Sequence, residues 1–446
     1  MGGLPRRATF IRQEKRDGIP TLLLDSGNLF AEKPLPEASI GPTLKKARLI
    51  LAAMETMGYR AAAVGELDLY LGLENLKRLA ASTKIHFLSA NVKNSSGEPV
   101  FEPWAIFDVG SARVGVFGLT SRQVDVGLME HRAPNIWVDD PIKVASRVVP
   151  ELKKKTDLVI ALTHIGFPED RELASAVKGI DVIVGGRSRT WLKNPREESG
   201  ALITSGYFQG RAAGKLLLHL NGPAWSGRGW ASGPRIDFLR KRLASEKNKG
   251  PSKPGSGQAG GFEKELAGLE KRTRYDGDMV SLSSSFMDDP KIAAMIRDYR
   301  RSLKENAGKA ASGNYTENPA IRYTGSDLCM DCHRKRYAFW NKTPHSTAIQ
   351  SLGRKDAQAD PDCVPCHVTG YLRPTGYAPA RPRKDLLSVQ CEACHGMGSL
   401  HASSPDLYHM VKIPKASVCR TCHTNAHSDN FNYIRDRVSV CSENPS

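Results

Sequence analysis

Residues 389–401 read VQCEACHGMGSLH, and the five residues Cys391–His395 within them have the form CxxCH. The same form recurs as CMDCH from Cys329, CVPCH from Cys363 and CRTCH from Cys419, so eight of the nine cysteines stand in four identical frames, all after residue 328. Paired CxxC alone would suit zinc, but zinc does not require a histidine after every second cysteine. A disulfide framework does not repeat a histidine at a fixed offset either. Thioether attachment of haem needs both features: two thiols add to the two vinyl groups, and the adjacent imidazole falls beneath the iron as its proximal ligand. The expectation is therefore four c-type haems, covalently held by Cys329 and Cys332, Cys363 and Cys366, Cys391 and Cys394, and Cys419 and Cys422. Their proximal ligands are His333, His367, His395 and His423.

Of the 12 histidines, eight follow residue 328, which leaves His345, His401, His409 and His427 beside the four proximal ones. One spare histidine per haem is what a bis-histidine tetrahaem module needs, and saturated iron favours electron transfer over substrate binding. These four are the candidate distal ligands. An open sixth position on one haem would instead admit a small nitrogen or sulfur oxide and make the module a reductase. Cys441 stays outside the scheme, as a free or capped thiol near the terminus.

The chain has 446 residues, enough for two modules with separate cores. Its 64 Lys and Arg against 47 Asp and Glu give a net charge of +17. Haem propionates would offset about eight of these charges. The basic residues are scattered without interleaved aromatics, which argues against a nucleic-acid partner. Redox proteins are the partners a multihaem module implies. Long apolar runs are few after residue 320, so porphyrin must supply much of the core there.

The flanking sequences CHVTGY, VQCEACHGMGSLH and CHTNAHSDNFNY resemble the tetrahaem cytochromes related to the electron acceptor of hydroxylamine oxidation, over about residues 320–435. That resemblance implies a mostly helical, loop-rich domain around closely spaced haems, with one axial site that can stay open.

The first 220 residues are patterned differently. Runs such as TLLLD at 21, RAAAV at 60, VGVFGL at 114, DLVIAL at 157 and DVIVGG at 181 alternate with amphipathic segments at 44–57, 73–82 and 141–153. This predicts an α/β domain with its site in the loops at strand ends. Residues 246–261 are Gly-, Ser-, Pro- and Lys-rich and read as a flexible linker. Beyond them Phe262, Leu266 and Leu269, then Ile292, Met295, Ile296 and Tyr299, recur at helical spacing and predict two amphipathic helices. Asp288, Asp289 and Pro290 open the second. The expected organisation is an α/β module over 1–221, linker and helices over 222–319, and the haem module over 320–446.

LLLDSGNLF, MGYRAAAVGELDLY, FLSANV, VGVFGLTSR, LTHIGFPEDRELASAVKGIDVIVGGRSRT and ITSGYFQGRAAGKLLLHL resemble, in order, the 5′-nucleotidase branch of calcineurin-like metallophosphoesterases. The resemblance implies a metallophosphoesterase-like sandwich whose two metals are held by Asp, Asn and His at strand ends and activate a water. Several of those positions differ here. The bridging Asp after Gly is Asn28, the Asn-His-Glu triplet is Glu66, Leu67 and Asp68, and the paired histidines of GHxH are Arg187 and Arg189. His164 alone is kept, and a lone histidine at a strand end is more often structural than a ligand. Arginine in place of a ligand histidine puts fixed positive charge where a dication would sit. The expectation is a pseudo-phosphoesterase for docking, in which Arg187 and Arg189 either hold an anion such as phosphate or a nucleotide or are exposed loop arginines. A working phosphohydrolase with accessory haems is the competing possibility.

Haem attachment through CxxCH is coupled to export, which points to the bacterial periplasm or cell exterior. The first twenty residues carry no apolar signal core, and no run of 18 apolar residues exists to cross a membrane. The first-strand DxH motif of the phosphoesterases is likewise not present before GGLPRR. Both features lead to the expectation that the export signal belongs to a longer gene product.

Overall fold

The computed structural model describes residues 3–15, 18–31, 39–123, 132–207, 209–220, 229–247, 258–307, 321–353, 357–379, 381–424, 428 and 430–440. It divides into two units, 1–293 and 294–446. Most of the 246–261 stretch, and the residues His427 and Cys441, lie outside the described residues.

In the first unit, the strands predicted from β-branched and Leu-rich runs form at Leu23–Asp25, Tyr59–Ala63, Ala112–Thr120, Leu158–His164 and Val182–Gly185. The strand Leu158–His164 is buried along its whole length, as expected for a parallel strand covered on both faces. It lies inside a six-stranded sheet ordered Arg196–Glu198, Ala201–Ser205, Val182–Gly185, Leu158–His164, Ala112–Thr120 and Trp104–Val109. The four middle strands pair in parallel and both edges are antiparallel. A second, parallel sheet is ordered Leu23–Asp25, Tyr59–Ala63 and His86–Leu88.

Alternation along Ala112–Thr120 shows how the layers are joined. Phe117 and Leu119 face a core shared with Val144, Val148 and Leu152 of the helix Pro141–Lys153 and with Leu173 of the helix Phe167–Ala176. Val114 and Val116 face the opposite way, into a core with Ala61, Ala63 and Leu88 of the three-stranded sheet. The period of two thus builds a helix, sheet, sheet stack from one strand. Asp140 caps the helix Pro141–Lys153 by accepting from the amides of Ile142 and Lys143, and Pro141 takes the first helical position, where no amide is needed.

The stretch 222–319 holds more than linker and helices. Trp230–Ser232 and Thr273–Ser281 are strands that pair with Ala212–Leu218 in a three-stranded sheet. Trp230 and Tyr275 join the core on the second sheet's side. The two predicted amphipathic helices are Gln258–Leu269 and Pro290–Ala307, the latter opened by the Asp289 carboxylate, which accepts from the amides of Lys291 and Ile292.

The second unit is helical and loop-rich. After the helix Pro290–Ala307 the α-helices among its described residues run four to seven residues, among them Ser326–Met330, Arg334–Trp340, Cys391–His395 and Ala416–Arg420. Its core is small, built from Tyr323, Leu352, Ala357, Val364, Val368, Tyr377 and Leu386. Leu407, Val411, Ile413 and Ile434 remain exposed. No helix among the described residues is long and apolar enough to cross a membrane.

Candidate functional sites

The eight CxxCH cysteines are in no disulfide. In each motif a short helical turn carries the thiols toward the histidine that follows, as where Cys391–His395 forms a single helix. Three of the four imidazoles are anchored by Nδ1. His367 Nδ1 lies 2.7 Å from the Ala348 carbonyl, His395 Nδ1 2.5 Å from the Val411 carbonyl, and His423 Nδ1 3.0 Å from Ser428 Oγ. A proton held on Nδ1 leaves the Nε2 lone pair for iron, which is how a protein fixes tautomer and orientation of a ligating imidazole.

Two of the spare histidines meet proximal ones from other motifs. His401 faces His333 with ring centroids 6.2 Å apart and planes within 14°, and its own Nδ1 lies 2.7 Å from the Tyr408 carbonyl. His345 faces His423 at 5.8 Å and 52°. A metal bound through one nitrogen of each ring would separate the centroids by about 6 Å, at roughly 2 Å per metal–nitrogen bond. Both centroid spacings match that separation. Burial, reinforced by His423, lowers the pKa of His345 and favours the neutral, ligating ring. His409 is exposed on the chain after the helix Ser399–Ser403.

In the first unit, the predicted strand-end residues converge. His164 ends its strand, Glu66 follows Tyr59–Ala63, Asn28 follows Leu23–Asp25 and Arg187 follows Val182–Gly185. Gly27, at φ 97°, makes the close turn that admits Asn28, since a Cβ there would stand 2.9 Å from the Ala63 carbonyl. Asn28 Nδ2 donates to Glu66 Oε1 at 3.4 Å, and its Oδ1 accepts from the Leu67 amide at 2.9 Å. Asp68 is buried and accepts from the amides of Asn28, Phe30 and Gly65. Burial outweighs those donors and pushes its carboxyl up to about 7. Asp68 therefore braces the loop from inside.

His164 Nδ1 is held 2.6 Å from the Ser26 carbonyl, and Nε2 stands 3.5 Å from Glu66 Oε2. Burial lowers the His164 pKa, against the pull of Glu66. Arg187 turns inward, with Nε 3.4 Å from Glu66 Oε1 and Nη2 donating to Gln123 Oε1 at 2.8 Å. Arg189, at φ 51°, is exposed and lines a small pocket with Phe167, Ser188, Thr190 and Tyr207. Sequence reasoning missed the floor of this site, where Arg7 Nη1 stands 3.8 Å from Asp25 Oδ2. Nothing local signals that contact, because Arg7 comes from the helix Leu4–Glu14 and meets Asp25 only in the folded chain. Among the described residues, no group of three or more His, Cys, Asp or Glu has the arrangement to hold a metal ion.

A layered α/β unit with its polar groups at the carboxyl ends of parallel strands, followed by a CxxCH-bearing helical unit, defines a phosphoesterase-type fold fused to a c-type cytochrome. Comparison with known proteins specifies both halves. Residues 328–396 match the family described as cytochrome c554 and c-prime. The chain is 31% identical over 243 residues to a snake venom 5′-nucleotidase of Naja atra, a match covering 49% of this chain and 44% of that protein. It is 33% identical over 199 residues to the 5′-nucleotidase of Bos taurus, covering 43% and 33%. The chain thus spans less than half the length of these relatives. In fold it is similar to the sulfate thiohydrolase SoxB of Thermus thermophilus, with a TM-score of 0.52 at 17% identity over 69% of this chain and 48% of that one. A 5′-nucleotidase precursor, also of Thermus thermophilus, gives 0.50 at 18% identity, over 79% and 62%. The chain joins a 5′-nucleotidase-like, calcineurin-type phosphoesterase region to a cytochrome c554-type region.

Proposed function

We propose that this protein transfers electrons through four covalently attached c-type haems, in the bacterial periplasm or outside the cell, and that its phosphoesterase-like region is a catalytically inert docking module. The observation that carries the first part is the meeting of His401 with His333 and of His345 with His423 across separate CxxCH motifs. Bound haem supplies one-electron chemistry, and two imidazoles on one iron keep its geometry nearly unchanged between oxidation states. The protein's part is to hold one imidazole of each pair, His401 and His423, through Nδ1 and to set the surroundings of each iron.

For the second part, the donor set does not fit a pair of metals. Arg187 lies against the one carboxylate facing His164, and Arg7 against Asp25. A guanidinium beside both Glu66 and Asp25 supplies the positive charge that metals supply in working phosphoesterases. Glu66 also competes with any phosphate or nucleotide for Arg187.

Haem quantification with EPR and a redox titration of the full-length holo-protein tests the proposal. Four haems per chain and low-spin signals from at least two are expected. A high-spin signal that shifts on adding nitrite or sulfite turns the reading toward a reductase. Metal-dependent release of phosphate from nucleotides would overturn the inert-module part.

A further inference from the structure

The cytochrome region contains a charged residue that haem attachment alone does not explain. Glu392 occupies a variable position inside the third motif, Cys391–His395, and is only 2% exposed. Its carboxylate accepts from the Thr324 amide at 3.0 Å, the Gly325 amide at 2.8 Å, the Gly398 amide at 2.7 Å and Thr324 Oγ1 at 3.2 Å. Every one of these partners donates. A carboxylate can accept them all, whereas a carboxylic acid would have to turn its own O–H toward one of them. The glycines make room: Gly325 sits at φ 86°, and a Cβ on Gly398 would stand 3.2 Å from Glu392 Oε1.

Thr324 and Gly325 lead directly into the helix Ser326–Met330, which carries Cys329 of the first motif. Two further contacts tie the same two motifs. Ser326 Oγ accepts from the Cys391 amide at 2.9 Å and lies 3.1 Å from Cys391 Sγ. Glu392 is also one helical turn before His395, with the two Cβ atoms about 5–6 Å apart.

We propose that Glu392 is a shared positioning residue for the haems of the first and third motifs: it clamps the two attachment segments together and places one buried negative charge beside both irons. The inference rests on the haem-binding reading above. Ferric haem carries one more positive charge than ferrous haem, so a nearby carboxylate favours the oxidised state and holds both potentials down. The second and fourth motifs, Cys363–His367 and Cys419–His423, have no residue in contact with this carboxylate among its named partners.

The test is Glu392→Gln in the full-length holo-protein, read by haem count and spectroelectrochemical titration. The expected result is an unchanged haem count with two midpoint potentials shifted upward and the others unmoved. A merely structural glutamate would leave every potential in place, and that result, or an equal shift of all of them, overturns the proposal. Should E392Q fail to accumulate with haem, Glu392→Asp keeps the charge but withdraws it by one methylene. A selective shift of the same pair then supports the proposal, and unchanged potentials overturn it. The wild-type haem count separates the two levels, because too few haems defeats the haem-binding reading itself.

Discussion

The two units of this chain solve the problem of a core in opposite ways. The first buries Phe117, Leu119, Leu152, Leu162, Leu173 and Ile183 completely, between sheet and helices or between sheets. After the helix Pro290–Ala307, the second has helices too short to bury a continuous stripe, and its described residues collect a core of seven, while Leu407, Val411 and Ile413 stand in solvent. Short helices are marginal on their own and depend on tertiary packing. In the first unit that packing comes from the polypeptide. On the proposed reading, in the second it falls to the haems held at the CxxCH motifs, as it does in small domains stapled by metals or disulfides.

The largest effect should come from taking those groups away. Expressed without the haem-attachment machinery, or with the eight motif cysteines replaced by alanine, the segment 321–440 is expected to lose protection in amide hydrogen exchange. Residues 104–205 should keep theirs. Protection surviving throughout 321–440 without haem would break the comparison.

A point change in the first unit's core should cost less, and only there. Phe117 is wholly buried against Val144, Val148 and Leu152. Phe117→Ala is expected to destabilise that unit by about 3–5 kcal/mol through lost burial and the cavity left behind. Denaturant titration followed by far-UV circular dichroism would measure this, and the haem absorption spectrum should stay as in wild type. A loss under about 1 kcal/mol would mean that the sheet face is looser than its burial implies.

The same contrast explains what the sequence could and could not disclose. The strands Ala112–Thr120, Leu158–His164 and Val182–Gly185 are buried on both faces, so they are written as near-continuous apolar runs. Thr273–Ser281 reads TRYDGDMVS, with arginine, aspartate and glycine between its buried positions, and leaves no such run. Its strand character comes from pairing with Ala212–Leu218, a partner more than fifty residues away. In the candidate sites, Asn28, Glu66, His164 and Arg187 were legible through the resemblance to the 5′-nucleotidase motifs, whose positions lie at strand ends. The inward turn of Arg187 onto Glu66 and the Arg7–Asp25 pair were not, since each depends on distant chain. The CxxCH histidines declared themselves by spacing. Their partners His401 and His345 could only be counted, because the meetings span 68 and 78 residues, from 333 to 401 and from 345 to 423.

A smaller effect, expressed through pH, separates burial by polypeptide from burial by cofactor. Asp170 lies in the helix Phe167–Ala176, is 1% exposed, and accepts from Thr163 Oγ1 at 2.6 Å. Burial, only partly offset by that hydroxyl, pushes its carboxyl up to about 7. The unfolded chain ionises this group near pH 3.8, while the folded chain keeps the proton up to about 7. In that window the folded state binds more protons, so this group's contribution makes stability fall as pH rises and then level off above the folded value. Asp170→Asn keeps a polar group of similar size but cannot ionise. It should therefore flatten the stability–pH profile of the first unit between about pH 4 and 7, and raise stability at pH 8 relative to wild type. Thermal melts across that range measure it, and an unaltered slope in the variant would mean that Asp170 titrates as an ordinary surface carboxylate.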